Sequence, residues 1–369
     1  RWWIVLLFLF LFFFFGVIFF IVGLFALVKG PFSEKPVDIK PGSVVELRVR
    51  GDLGENLQTA PLNLLGGETQ SATFLELLNG IQQAAGDDRI RGLYYRSGDL
   101  VCGMAKAVEI RDALIDFKES GKFFHAYLDF GGELDYFFAS AADSIFMPTE
   151  GMLELNGFAI EDIFWKESLD KIGVQFYVEQ FEEFKSAGEA YSRTGFSAPA
   201  RQSLRDLLSQ RQEIMIKAIS ASRKLDPLAV SAAFNRGVYS ADSLLELGFI
   251  DAIRSEGGLR DHLLRKELQP DSSKKSPLIT MAHYARSADK SGKQVAQGKQ
   301  IALIYASGVI MPGEEETIPL LNEATIASRK FVQYIRQARD DKRIQAIILR
   351  IDSPGGSVMA SDEIWEEIE

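Results

Sequence analysis

The chain has 369 residues, 47% of them apolar, with 41 Lys plus Arg against 51 Asp plus Glu and a net charge of −10. That length accommodates a membrane segment plus one large domain or two smaller ones, and the acidic balance excludes a general nucleic-acid binder, which needs a basic surface. A single cysteine, Cys102, excludes an intrachain disulfide, and His125, His262 and His283 lack metal-ligand spacing, so neither a metal nor another cofactor is expected.

From Trp2 to Val28 no residue is charged, and the run is long enough to cross a hydrocarbon core. It lacks the short apolar region and small-residue cleavage site of a secretory signal, so residues 1–29 read as an uncleaved transmembrane anchor. Arg1 and Lys29 flank it evenly and leave its orientation open. Residues 30–43, with Pro31, Pro36 and Pro41, read as a linker.

Strands are expected at Val44–Val49, Ile90–Tyr95, Phe123–Leu128, Ser144–Met147 and Val174–Val178, with helices after Phe74 and from about Ala105 to Phe117. Leu204, Leu207, Leu208, Ile214, Met215, Ala218 and Ile219 keep helical spacing through one long amphipathic helix. Gly237 to Asp251 closes this part with a turn, a helix and a short strand. Strands alternating with helices predict an α/β domain with a largely parallel sheet. Residues 259–299 read as a connecting segment, and Ile301-Ala302-Leu303-Ile304-Tyr305 starts a new strand.

The chain also repeats itself. Residues 81–96 lie over residues 335–350 without a gap, with identity at Ile81/Ile335, Gln83/Gln337, Ala84/Ala338, Asp87/Asp341, Arg89/Arg343, Ile90/Ile344 and Arg96/Arg350. Identity at polar positions is harder to reach by accident than a shared apolar pattern, so residues 44–258 and 300–369 read as one complete α/β repeat and the start of a second. In that register Ser353-Pro354-Gly355-Gly356 falls over Asp99-Leu100-Val101-Cys102. Two glycines at a strand-to-helix turn let backbone N–H groups face open space, where they can hold an anion or a developing oxyanion. The first copy has lost that glycine pair. Cys102 reads as a small apolar residue, in preference to a thiol nucleophile served by His125.

Four stretches resemble the signal peptide peptidase A family in its long, two-repeat form. They are Phe184-Lys185-Ser186-Ala187 with Glu189, Gly237 to Ile250, Ile301 to Glu315, and Leu349 to Val358 with its Ser-Pro-Gly-Gly. The resemblance implies a crotonase/Clp protease-like fold behind the anchor and a Ser–Lys dyad with Lys185 as general base. Gly356, with Gly355, would be the oxyanion donor. A buried, desolvated lysine can give up its proton near neutral pH, which is what such a base requires.

The sequence departs from the family pattern at Glu182, where the family has Gly, and at Ala190, where it has Pro. Glutamates such as Glu182 and Glu183 beside the lysine would favour its charged form. The family's nucleophile precedes a Gly-Gly-aromatic segment, and in the first repeat Glu133 holds the corresponding place. The repeat offset carries that place to about position 387, so the serine is expected beyond Glu369, in a second repeat truncated here. Ser353 and Ser357 read as turn and cap residues instead.

The implied activity is a membrane-anchored serine endopeptidase that degrades apolar peptides such as cleaved signal peptides, with this chain inactive alone. The implied partners are such a peptide, the lipid bilayer and further copies of the chain, with the soluble part on the periplasmic side of a bacterial inner membrane. A crotonase-type acyl-CoA enzyme and a non-catalytic membrane-bound scaffold are the alternatives.

Overall fold

The computed structural model describes residues 2, 3, 13, 16, 39–48, 50–55, 73–98, 100–260, 278–289, 298–314, 317–318 and 323–369. The expected anchor over 1–29 lies outside them, apart from Trp2, Trp3, Phe13 and Gly16. Among the described residues no helix is long and apolar enough to cross a membrane.

The chain divides into two units. The first comprises Lys40–Asp52 and Ile81–Met281, and the second comprises Arg1–Ile39, Leu53–Gly80 and Ala282–Glu369. In the first unit the strands are β1 Ser43–Leu47, β2 Gly51–Asp52, β3 Ile90–Arg96, β4 Leu100–Val101, β5 Phe123–Tyr127, β6 Phe130–Gly131, β7 Ser144–Met147, β8 Met152–Leu155, β9 Gly237–Ser240, β10 Ala252–Ile253 and β11 Leu278–Thr280. Helix α1, Phe74–Gly86, runs across the division; then come α2 Met104–Glu119, α3 Glu133–Ala139, α4 Lys166–Lys171, α5 Glu189–Ser192, α6 Ala198–Arg223, α7 Pro227–Arg236, α8 Ala241–Glu246 and, also crossing the division, α9 Met281–Asp289. The second unit adds β12 Gln300–Ser307, β13 Val309–Met311, β14 Thr317–Ile318, β15 Glu323–Ala327, α10 Ser328–Asp340, β16 Ile344–Asp352 and α11 Val358–Ile368.

Six strands of the first unit form a parallel sheet in the order β10-β7-β5-β3-β1-β11. Its strands are apolar on both faces: Val44, Leu93, Tyr94 and Ala126 are all buried. That is how a parallel sheet covered on both sides reads. The long amphipathic helix is α6. It starts at Ser197, whose Oγ accepts from the Ala200 N–H, and ends at Lys224 in a left-handed conformation, φ +56°. Pro227 then opens α7, capped by Asp226.

Two features depart from the sequence boundaries. Residues 278–281 fall within the expected connecting segment, yet Leu278–Thr280 pairs in parallel with β1 at the sheet edge. Residues 53–80 fall within the expected first repeat, yet they group with the second unit. The reason is visible at Arg350. Its Nε lies 2.7 Å from the buried Glu55 carboxylate, and its guanidinium stacks 4.6 Å from the Phe74 ring centroid.

The repeat extends into the strand register. Ser43 pairs with Ile90, and an irregularity shifts the register so that Val44 faces Gly92. Gln300 pairs with Ile344, and the same shift sets Ile301 against Ala346. Helices α1 and α10 both have 13 residues and start at equivalent places. The shared Asp-x-Arg acquires a structural reason. Asp87 Oδ1 accepts from the Arg89 backbone N–H at 3.0 Å and from its Nε at 2.9 Å; Asp341 Oδ1 does so from Arg343 at 2.9 and 3.0 Å. Each aspartate closes the turn between helix and strand with its own backbone and binds the arginine fork.

Candidate active site

Lys185 lies in the first unit, in an irregular turn between Phe181 and α5. Glu182 holds a left-handed conformation, φ +66°, and its carbonyl accepts from the Lys185 N–H at 3.4 Å. The Lys185 side chain is exposed, so the burial expected of a catalytic lysine is not what this chain presents. Glu182 and Glu183 are exposed too, and neither forms an ion pair with it among the described residues.

The segment C-terminal to the lysine is fixed more firmly. Glu189 is buried and accepts from the Ser197 backbone N–H at 2.9 Å, which fastens the lysine segment to the start of α6. Burial pushes its carboxyl up, but the Ser197 hydrogen bonds and the Arg193 charge outweigh this and hold it below the usual carboxylate range. Upstream, Val174–Val178 is not a strand. It is irregular backbone, and its side chains lie on α5: the Phe176 and Tyr191 rings stack at 5.0 Å, and a Cβ on Gly188 would sit 2.4 Å from Val178 Cγ1. The β-branched and aromatic composition favours an extended path but cannot supply a pairing partner.

The glycine corner lies in the second unit, between β16 and α11. Gly355 has φ +101°, which side-chain-bearing residues rarely adopt. A Cβ on Gly356 would fall 2.1 Å from the Ile310 carbonyl oxygen and 2.7 Å from its nitrogen, so only glycine fits against β13. The Ile310 N–H donates to Gly355 O, and the Ser357 N–H donates to Ile310 O, both at 2.9 Å. The Gly355 N–H donates to Ser353 Oγ at 3.1 Å. Gly356 is left with the N–H that no described group engages. Of the two glycines, Gly356 therefore keeps the open N–H, and Gly355 sets the turn. Ser357 caps α11, its Oγ accepting from the Ala360 N–H.

In the first repeat the same place is built differently. Asp52 pairs with Val101, the counterpart of Gly355, and Val101 is exposed. Asp99 lies outside the described residues. Instead of a free donor there is a carboxylate that uses donors up. Buried Asp135 Oδ1 accepts from Tyr95 Oη at 2.8 Å and from the Gly98 N–H at 3.1 Å, and Oδ2 accepts from the Gly132 N–H. Glu133 is the first residue of α3. His125 is half-buried between the Phe123 and Phe146 rings. Sequence reasoning missed the Asp135 network, because its partners come from β3 and the loop after it. The available signal was an acid at the third position of a helix opened by Gly131-Gly132.

Residues 116–266, which contain Lys185, match the family described as Peptidase family S49. This part of the chain is similar to peptidase family S49. The similarity extends well beyond it. The chain is 30% identical over 331 residues to the chloroplastic serine protease SPPA of Arabidopsis thaliana, covering 89% of this chain and 47% of that protein. It is 28% identical to Protease 4 of Salmonella typhi, over 86% of this chain and 50% of that protein. Protease 4 of Haemophilus influenzae is also 28% identical, over 84% of this chain and 51% of that protein. The chain thus spans about half the length of the curated relatives it matches. The similarity to SPPA and Protease 4 runs over most of the chain, in keeping with the resemblance read from four motifs.

Proposed function

We propose that this chain carries the base and the oxyanion donor of a membrane-anchored serine endopeptidase acting on apolar peptides such as signal-peptide remnants. The observation that carries the reading is the unengaged N–H of Gly356, held in a turn that admits no side chain. It is joined by Lys185 inside the S49-matched residues. In this mechanism a serine hydroxyl attacks the scissile carbonyl while the neutral Lys185 amine takes its proton. The Gly356 N–H stabilises the oxyanion of the tetrahedral intermediate. The protonated lysine then gives its proton to the leaving amine, and water resolves the acyl-enzyme by the same path. In this reading the serine would hold, in the second repeat, the place that Glu133 holds in the first. Lys185 is exposed in this chain, so the desolvation a lysine base needs would have to come with bound substrate. The anchor over residues 1–29 would hold the site where apolar peptides partition.

The test is hydrolysis of an apolar peptide by the longer protein. Lys185→Ala should lower turnover about a thousandfold, and retained turnover would remove the dyad. The 369-residue chain alone should hydrolyse nothing; Lys185-dependent cleavage by it would place the nucleophile elsewhere. An acyl-CoA enzyme on the same fold would turn over a thioester instead and would not need a serine.

A further inference from the structure

Lys185 stands in a stretch with almost no core of its own. Between Leu155 and Ala200 a single residue is buried, and it is a carboxylate: Glu189, 5% exposed. Ionisable side chains are seldom buried unless they are paired, because an unpartnered one is costly to desolvate. The partner here is fixed backbone, since Glu189 Oε2 accepts from the Ser197 N–H at 2.9 Å. Ser197 is in turn the cap of α6, its Oγ accepting from the Ala200 N–H at 3.2 Å. The carboxylate therefore ties the segment to the start of a 26-residue helix whose far half is seated in the core at Met215 and Ile219.

From Glu189 the hold passes back to the lysine through short backbone turns. The Glu189 N–H donates to Ser186 O at 3.0 Å, the Ser186 N–H to Phe184 O at 3.1 Å, and the Lys185 N–H to Glu182 O at 3.4 Å. Gln180 Nε2 donates to the same Glu182 carbonyl at 3.2 Å. From Glu182 to Gly188 no side chain is buried, so no apolar packing of its own fixes this turn. The Trp165 N–H to Ala190 O bond at 2.7 Å, Phe176 on Tyr191 and Val178 on Gly188 hold α5 and its cap instead.

We propose that Glu189 is a positioning residue: through Ser197 it fixes the turn that carries Lys185, and so sets where the lysine amine meets a serine hydroxyl. A charged acceptor suits this task because its hydrogen bonds are strong and directional, fixing angle as well as position. The catalytic consequence rests on the peptidase reading, whereas the latch itself does not.

Two measurements keep the latch and the chemistry apart. In the 369-residue chain, trypsin cleavage after Lys185 reads the opening of the turn, and cleavage after Lys217 within α6 is the internal control. Glu189→Ala should speed cleavage after Lys185 about tenfold and leave cleavage after Lys217 unchanged. Glu189→Gln, which keeps a carbonyl oxygen for the Ser197 N–H, should stay near the parent rate. In the longer protein, Glu189→Ala should lower kcat for an apolar peptide about a hundredfold with little change in KM, and Glu189→Gln should restore most of it. Unchanged cleavage after Lys185 in Glu189→Ala would overturn the latch. A loss of kcat equal in the Ala and Gln variants would assign the effect to the charge, and faster cleavage after Lys217 would assign it to stability alone; either overturns positioning. The tryptic contrast without Lys185-dependent hydrolysis in the longer protein would remove the peptidase mechanism and leave the latch standing.

Discussion

Strands β3 and β16 hold equivalent places in the two repeats, share their register and differ in what covers them. Leu93 and Tyr94 are 0% and 1% exposed, whereas their counterparts Ile347 and Ile348 are 37% and 51% exposed. In the first unit β3 lies between β1 and β5, and among the described residues β16 pairs with β12 alone. Both strands have apolar residues on both faces, the pattern of an internal parallel strand. The pattern therefore encodes a strand built to be covered, and the neighbours decide whether it is. The two corners teach the complementary lesson. Gly356 cannot be replaced without displacing the Ile310 backbone, while the matching first-repeat position accepts Cys102. One corner keeps a donor open, and the other has been rebuilt around the Asp135 carboxylate.

The comparison can be broken most directly at Gly356. Gly356→Ala should destabilise the second unit by about 3 kcal/mol, since backbone cannot move aside as a side chain can. It should also lower hydrolysis by the longer protein at least about a hundredfold. Cys102→Gly in the first repeat should change stability by less than about 1 kcal/mol. Urea unfolding followed by unit-specific probes would show this, and equal effects at the two corners would erase the distinction between them.

Arg111 sharpens the contrast between the units. This buried arginine on α2 donates to Phe137 O, Ser140 Oγ, Ala218 O and Ser222 Oγ, and stacks on the Phe137 ring at 4.7 Å. It thereby joins α3 to α6. Burial pulls its guanidinium down to about 10, against the opposing pull of Asp112. Arg111→Ala should cost about 3 kcal/mol, because four acceptors lose their donor. Trp365, its counterpart in the second repeat, is exposed, and Trp365→Ala should cost under about 1 kcal/mol. Thermal unfolding that ranks the two the other way would contradict the pairing described.

The smallest effect is where the repeats agree. Asp341 is held at about 2 by hydrogen bonds from the Arg343 side chain and backbone. Because the folded value lies below the unfolded one, the support this turn gives is present above the ordinary carboxylate range and is lost as pH falls through about 2. A carbon-detected NMR titration should put its midpoint near 2, and a midpoint in the ordinary carboxylate range would remove the latch. Asp341→Asn and Asp87→Asn should each lower the melting temperature less than Arg111→Ala does, and by similar amounts.

Much of the fold is legible in the sequence because it is local. Ser144–Met147 as a strand, α6 with its continuous helical spacing, and the Ser353 turn and Ser357 cap depend on residues within a few positions of one another. The repeat, too, is readable, since its polar identities at Asp87 and Asp341 serve one turn each. Val174–Val178 has a strand's composition and no partner, while Leu278–Thr280 has a partner inside a stretch whose composition suggests connecting chain. One reason covers both. A strand is completed by a partner distant in sequence, and composition does not identify that partner.

By itself the sequence determined the repeat and its register, the loss of the glycine pair in the first copy, and the similarity of residues 116–266 to peptidase family S49. Tertiary structure alone decided that Gly356, rather than Gly355, keeps a free N–H, that Lys185 is exposed, that Glu55 meets Arg350, and that Asp135 rebuilds the first corner. The difference is one of range. Propensity, capping and turn chemistry act over a few residues and are written along the chain. A hydrogen-bond donor is free or engaged, and a side chain covered or bare, according to groups tens or hundreds of residues away.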